Sequence, residues 1–439
     1  HSGAKAVGIP GALALLLKEA TYMKHVIIGN GPAGLVAAET LRRLQPDAEI
    51  ALIGDESEPP YSRMAIPYFL IGKIADSGTH LRKAHDHYAR ERIHLIEGKV
   101  VKVDAQAKQV EFASGERLPY DRLLIASGSH PIRPKVSGMD LANVHTCWTI
   151  EDARAIAAKA APGARVLQIG AGFIGCIIME ALAARGVKLT VVEMGDRMVP
   201  RMMTAKAGNM IRQWVEKKGI GVHVNEGVTA ITQEDGALLA KLSTGAEIAA
   251  DLVICAAGVA PNTAFLAGSG IAIERGIRVD AGMRTSVAEV YAAGDVTEAA
   301  GFHTGQPELN AVQPNAVDQA RVAAHNMAGG AAVSGGSLAI NVLDTLGLIS
   351  TSFGQWQGVG KEQGGAGVEL VDEANYRYLS LQFKDDILIG ATSIGWTDHV
   401  GALRGLVQTQ APLGEWKDRL LADPTCFMAA YLGTAQKAA

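Results

Sequence analysis

The chain has 439 residues, of which 48% are hydrophobic and 20% charged, and its formal net charge is −4. Those proportions permit a large core and exclude wholesale disorder, while the length suggests two to three domains. The slight negative charge, with no basic cluster, argues against nucleic-acid binding, and no apolar run reaches the ~20 residues that span a bilayer.

Residues 1 to 22 begin without methionine, and the apolar GALALLL within them has no basic region before it and no clear cleavage site. That pattern does not read as a signal peptide. We expect 1–22 to be a leader or expression remnant outside the fold, with Met23 opening the natural protein.

Lys24 to Asp55 then reads as an apolar strand, a glycine loop, a helix and a second apolar strand. Gly29, Gly31 and Gly34 form a GxGxxG between strand and helix, with Pro32 and Ala33 inside it. The spacing predicts a tight turn at Gly29, close approach of a pyrophosphate at Gly31, and close helix–strand contact at Gly34. Free N–H groups at the helix start would hold the phosphates. Asp55 or Glu56, about 20 residues on, ends the second strand where a ribose diol would be held.

Glu58 to Ile74 is turn-forming and then apolar. Thr79 to Gly98 reads as a helix ending in a short strand, and its histidines His80, His85, His87 and His94 read as a solvated face rather than a metal site. Val100 to Leu118 alternates like a hairpin. Asp121 to Pro131 is a buried strand ending in a turn at Ala126, Ser127 and Gly128. Arg165 to Glu193 repeats the opening design, with Gly170, Gly172 and Gly175 around Phe173 and Ile174. Glu193 closes the next strand. An acid there accepts from a ribose 2′-OH and repels a 2′-phosphate, so NADH is favoured over NADPH, although Arg197 is near. Two such units in one chain predict two dinucleotides.

Asp251 to Asn262 is another strand running into glycine, Gly258. Val290 to Asp295 is a short strand ending in Gly294-Asp295, placing Asp295 at a ligand crevice. The next helix opens near Pro314 and Asn315, and its N-terminus could stabilise negative charge on a reduced cofactor. From about Ile340 the character changes: Tyr376 to Gly395 reads as a hairpin and His399 to Gln410 as an amphipathic helix. This tail carries no catalytic spacing, and core packing or a subunit interface is its plain reading. The four cysteines, Cys147, Cys176, Cys255 and Cys426, form no CxxC and read as buried apolar side chains in a reducing, cytoplasmic compartment.

Assembled in order, GNGPAG, LLIASG, GAGFIG with Glu193, ICAAGVAPN and VYAAGD resemble the pyridine nucleotide-disulfide oxidoreductases over roughly Met23 to Gly330. The resemblance implies an α/β fold with two Rossmann-like, three-layer dinucleotide-binding domains. It places FAD in a discontinuous outer domain (23–140 and 276–339), NAD(H) in an inserted domain (141–275), and an α+β interface domain at 340–439. It also implies that Asp295 binds the FAD ribitol and that the Ala316 and Val317 amides approach the flavin's pyrimidine edge. Pro59 to Arg63, PPYSR, is similar to the branch containing rubredoxin, ferredoxin and nitrite reductase flavoproteins, which brings Arg63 into the FAD site.

Two departures shape the expected activity. Disulfide-reducing relatives carry a redox cysteine where this chain has Ser62 to Tyr68, and Met64 stands nearest that position. Disulfide exchange is therefore excluded. Ferredoxin-reductase relatives often carry a lysine at the position of Tyr68 and a glutamate at that of Ile177, and both are replaced here. The expected function is an enzyme exchanging a hydride between NAD(H) and FAD, and single electrons with an iron–sulfur or rubredoxin-like protein. No side chain reads as an obligatory acid or base. The branch also resembles flavin subunits of larger complexes, such as tungsten-dependent aldehyde oxidoreductases, so an oligomer or a multi-subunit setting is expected. The alternatives are an NADH oxidase reducing dioxygen, or an assembly or sensor flavoprotein with a regulatory nucleotide site.

Overall fold

The computed structural model describes residues 7–8 and 22–438. Most of the expected leader, including GALALLL, lies outside the described residues. Val7 and Gly8 do not lie outside the fold. They pair in parallel with Ile96 and Glu97, because the Ile93–Glu97 strand otherwise ends the sheet with open backbone groups.

The chain forms two compact units. The first comprises 1–65, 74–130 and 259–337, the second 66–73, 131–258 and 338–439. These boundaries fall earlier than the expected 140 and 276, and the C-terminal segment groups with the inserted one.

In the first unit a six-stranded parallel sheet runs Val7–Gly8, Ile93–Glu97, Glu49–Gly54, Lys24–Ile28, Arg122–Ile125, Val290–Ala292. Strand alternation splits its apolar residues between two cores. Ile27, Leu52 and Leu124 meet Ala37, Leu41, Ala320 and Ala323 from the helices Pro32–Leu44 and Gln313–Met327. Val26, Ile53 and Leu123 meet Val103, Val110, Phe112 and Leu118 from a three-stranded antiparallel meander on the other face. That meander covers the expected hairpin, whose first arm a further turn at 105–108 splits into Val100–Asp104 and Gln109–Phe112.

The second unit repeats this design. Its parallel sheet runs Val144–Thr146, Leu252–Cys255, Arg165–Ile169, Lys188–Glu193, Gly221–Val224, and an antiparallel trio from Val228 to Ala250 covers one face. The C-terminal segment is a five-stranded antiparallel sheet, with the expected hairpin (Arg377–Lys384, Ile387–Ile394) at its centre and helices Val400–Thr409, Glu415–Ala422 and Phe427–Ala438.

The helix expected from Thr79 does not form. Two single turns, Asp76–Thr79 and His87–Arg90, flank an extended stretch. There Leu81 N donates to the Pro60 carbonyl and Ser62 N to that of Thr79, using backbone groups a helix would need. The histidines are accordingly not one solvated face. His87 Nε2 lies 2.9 Å from Glu39, and burial lowers the pKa of His80 and His94.

Candidate dinucleotide-binding sites

Each glycine loop assigns its three glycines different tasks. Gly29 and Gly170 sit at φ +107° and +100°, where side chains are strained, and a Cβ on either would run into the Ala126 or Ala256 carbonyl. A Cβ on Gly34 or Gly175 would strike the carbonyl oxygen of Gly29 or Gly170. Gly31 and Gly172 differ. Each caps its helix in extended conformation, φ −72° and −73°, without a side-chain cap bond, and a Cβ there would meet nothing within 4 Å. Open space therefore lies beside uncapped helix N–H groups, a cradle that fits a pyrophosphate. Pro32 and Ala33, like Phe173 and Ile174, make the first helical turn beside it.

In the first unit three elements converge at Gly294. A Cβ there would lie 3.3 Å from that of Ala33 and 3.5 Å from that of Ala316, so the Gly294-Asp295 turn meets the first turns of both long helices. Val317 follows Ala316 and is half-buried. Asp295 accepts from Ser129 Oγ at 2.9 Å. Burial pushes its pKa up, against the Ser129 bond and the Arg63 charge. Arg63 pairs with Glu56 at 2.8 Å, and Glu56 also accepts from the Tyr61 hydroxyl at 2.6 Å. Glu56 rather than Asp55 joins this group, for Asp55 is exposed just past the strand. Ser127 and Gly128 follow Ala126 at the end of their strand. Ser127 Oγ donates to the Asn262 carbonyl at 2.9 Å, Asn262 Nδ2 donates back to the Ser127 carbonyl at 2.8 Å, and Asn262 N donates to that of Gly128 at 3.0 Å.

In the second unit the Glu193 carboxylate accepts from Ala171 N and from Gly195 N, both at 2.7 Å. Two backbone amides thus fix a negative charge beside the loop. The Arg197 guanidinium is committed elsewhere, to Asp196 at 2.6 Å and the carbonyls of Met203 and Pro200. Gly258, at φ +107°, accepts from Ile132 N at 2.8 Å. Ile177 is half-buried on the loop helix Phe173–Ala184, while Tyr68 is exposed on the short helix Ile66–Leu70. Arg185 Nη1 donates to the Leu70 carbonyl at 2.6 Å and ties that helix to this unit.

Sequence reading missed Tyr61, Ser129, Asn262 and Gln319. Tyr61 and Ser129 lie inside or next to motifs already singled out, and only their hydroxyl bonds distinguish them. Nothing in the spacing marks Gln319.

The family model described as pyridine nucleotide-disulphide oxidoreductase matches residues 23–325. The chain belongs to this family. One relative is the NADH-dependent phenylglyoxylate dehydrogenase subunit epsilon of Aromatoleum evansii, 29% identical over 92% of this chain and 96% of its own. Rubredoxin-NAD(+) reductase of Pseudomonas putida is 31% identical over 70% of this chain and 80% of its own. Among solved structures, the ferredoxin reductase for the CYP199A2 system from Rhodopseudomonas palustris is 27% identical with a TM-score of 0.78, over 86% of this chain and 92% of that one. As a member of the family this chain is an NAD(H)-dependent oxidoreductase of mixed α/β fold with two Rossmann-like domains, and its cofactors are FAD and NAD(H). No helix among the described residues is long and apolar enough to cross a membrane.

Proposed function

We propose that the chain passes electrons between NADH and an iron–sulfur or rubredoxin-like protein or subunit, with FAD held in the first unit and NADH in the second. The observation that carries this is the duplicated loop, whose middle glycine each time faces open space beside uncapped amides. In the first unit Gly29, Gly31 and Gly34 would cradle the pyrophosphate and Glu56, steadied by Arg63 and Tyr61, the ribose. Asp295 and the helix end at Ala316 and Val317 would address the rest of the cofactor. When bound, FAD supplies two-electron exchange with a nicotinamide and one-electron exchange with an iron centre.

In the second unit Gly170, Gly172 and Gly175 would hold the NADH pyrophosphate, and Glu193 would accept from the ribose hydroxyls. Arg197, committed to Asp196 and two carbonyls, is engaged away from a 2′-phosphate. The protein acceptor rests on two supports. The cysteines supply no thiolate: burial pushes the thiols of Cys147 and Cys176 up to about 12 and that of Cys255 up as well, and Cys426 is raised too. One relative that spans nearly the whole chain is a subunit of an NADH-dependent dehydrogenase.

Anaerobic stopped-flow absorbance of the purified yellow protein mixed with NADH tests the reading. Bleaching within seconds, followed by recovery on adding an oxidised ferredoxin or rubredoxin, is expected. Visible absorbance that stays unchanged despite bound NADH would end the hydride-transfer reading. Bleaching that only dioxygen reverses would give the oxidase reading precedence.

A further inference from the structure

Gln319 stands in the second turn of the helix Gln313–Met327 and is 4% exposed. Its Oε1 accepts from Gly294 N at 2.8 Å and from Thr297 Oγ1 at 3.0 Å. Its Nε2 donates to Ser337 Oγ at 3.1 Å. Because a backbone N–H can only donate, the amide orientation is forced: the oxygen must face Gly294 and the nitrogen Ser337. Thr297 Oγ1 shares its hydrogen with the Gly294 carbonyl at 2.8 Å, so both backbone polar groups of Gly294 are held by this small network.

The network joins two pieces of chain that sequence does not connect. On one side is the turn at Gly294, whose φ of +86° brings Asp295 round to Ser129. On the other is the first turn of the helix, where Ala316 lies one helical turn before Gln319 on the same face. The contacts at Gly294 are between small groups, Ala33 and Ala316, which set a distance but no register. The Gln319 amide supplies the register, since hydrogen bonds are directional where methyl contacts are not.

We propose that Gln319 is a positioning residue. It locks the Asp295 turn to the helix start, so that one cofactor is met by the carboxylate and by the helix amides together. This rests on the reading that FAD occupies the first unit. Loosening the lock should weaken FAD and change the flavin's midpoint potential, because fixed dipoles at the helix end and the buried Asp295 both act on its charge. Gln319 does so through backbone it holds, and no contact of its own with the cofactor is required.

The test compares Gln319→Met, which keeps the volume and loses the bonds, with Gln319→Glu, which keeps an acceptor facing Gly294 N and Thr297. Apoprotein of each, with wild type and Gly31→Val as controls, is titrated with FAD, and the midpoint potential and visible spectrum of each holoprotein are recorded. For Gln319→Met we expect FAD affinity to fall about tenfold, the scale of one lost buried hydrogen bond, with a shifted potential. Gln319→Glu should recover most of the affinity and hold the potential nearer to wild type than Gln319→Met does, since it keeps an acceptor on Gly294 N. Apoprotein melting temperatures show whether a variant folds. Should Gln319→Met not fold, Thr297→Val, which removes one donor to the same oxygen, takes its place with the same expectations at smaller size. Wild-type affinity and potential in Gln319→Met would overturn the proposal, and so would equal loss in both Gln319 variants. FAD binding by Gly31→Val would instead overturn the site on which the proposal rests.

Discussion

Gly29 and Gly31 stand two residues apart in different surroundings, one packed against the Ala126 carbonyl and one beside open space. Gly29→Ala would force a methyl group against the Ala126 carbonyl at φ +107°, and a loss of roughly 2–4 kcal/mol of stability is expected, with or without cofactor. At Gly31 a Cβ meets nothing within 4 Å, and the backbone is one that any residue adopts. The Gly31→Val apoprotein should melt within a degree or two of wild type (about 0.5 kcal/mol) yet bind no FAD. Thermal melts of the apoproteins and flavin content after reconstitution separate the two, and a yellow Gly31→Val would remove FAD from this loop. Glu193 allows a similar separation. Its carboxylate is fixed by Ala171 N and Gly195 N, so Glu193→Ala should remove the partner of the ribose hydroxyls and leave the loop's glycines in place. The ratio of kcat/KM for NADH to that for NADPH should fall about tenfold, and an unchanged ratio would show that Glu193 does not touch the ribose. The turn at Gly29 and the close packing at Gly34 are legible in sequence because glycine at fixed spacing is a statement about backbone. The bonds of Tyr61, Ser129 and Gln319 are not, because a hydroxyl or an amide gives no hint of its partner until distant segments meet.

Between elements, the joints are made by side chains that satisfy helix ends and strand ends. Arg42, 8% exposed in the last turn of Pro32–Leu44, donates to the carbonyls of Gln45, Pro46, Ala48, Glu91 and Arg92. Its planar fork spans groups that a lysine could not reach together. Arg42→Lys should cost about 2–3 kcal/mol, read as a lower urea midpoint at unchanged slope. His25, on the strand Lys24–Ile28, is buried with Nε2 2.6 Å from Gln45 Oε1, and burial lowers its pKa from 6.5 in spite of that bond. The unfolded chain therefore takes up a proton at His25 before the folded one does. The stability this histidine allows is complete above pH 6.5 and is lost as pH falls towards its folded pKa. His25→Phe should flatten the decline of melting temperature between pH 6.5 and 5, and an unaltered slope would assign the decline to other groups. Sequence patterning found the strands and helices of the two glycine-loop units because their apolar periods run for many residues, but it passed over the helix Ala205–Lys217 and the parallel strands Val144–Thr146 and Gly221–Val224. It failed at Thr79–Arg90, where pairing with Pro60–Ser62 overrode local helix preference. It also passed over three strands of the C-terminal sheet. Of these, Ile340–Thr345 and Leu348–Gly354 are joined by only Leu346 and Gly347, both at positive φ. Leu-Gly is a weaker hairpin signal than Asn-Gly, which hid the turn.

Across the whole molecule, the same three-layer design serves twice, and the two units differ in the acidic residue at the end of each second strand. The first unit places Glu56 there with Arg63 and Tyr61 around it, and the second fixes Glu193 on backbone amides. The duplication supplies two nucleotide cradles, whereas the route electrons take beyond them depends on the chain's other redox-capable groups. Four thiols are the candidates within the protein itself. Cys147, Cys176 and Cys255 are buried and free, and Cys426 is partly exposed beside Asp423, with its Sγ 3.5 Å from that carboxylate. All four hold their protons more tightly than an ordinary thiol, through burial and, for Cys147, Cys176 and Cys426, a nearby carboxylate as well. A thiol kept protonated at neutral pH is a poor nucleophile, so none is suited to accept electrons by attack on a disulfide or to release them to one. Treating the native protein with iodoacetamide at pH 7 should therefore label Cys426 slowly, spare the other three, and leave NADH-dependent reduction of a ferredoxin unchanged. Mass spectrometry locates the label while the assay follows the rate. Loss of activity in step with labelling of any one cysteine would place a thiol in the electron path. The protein would then rejoin the disulfide-reducing members of its family, despite Met64 standing nearest their redox position.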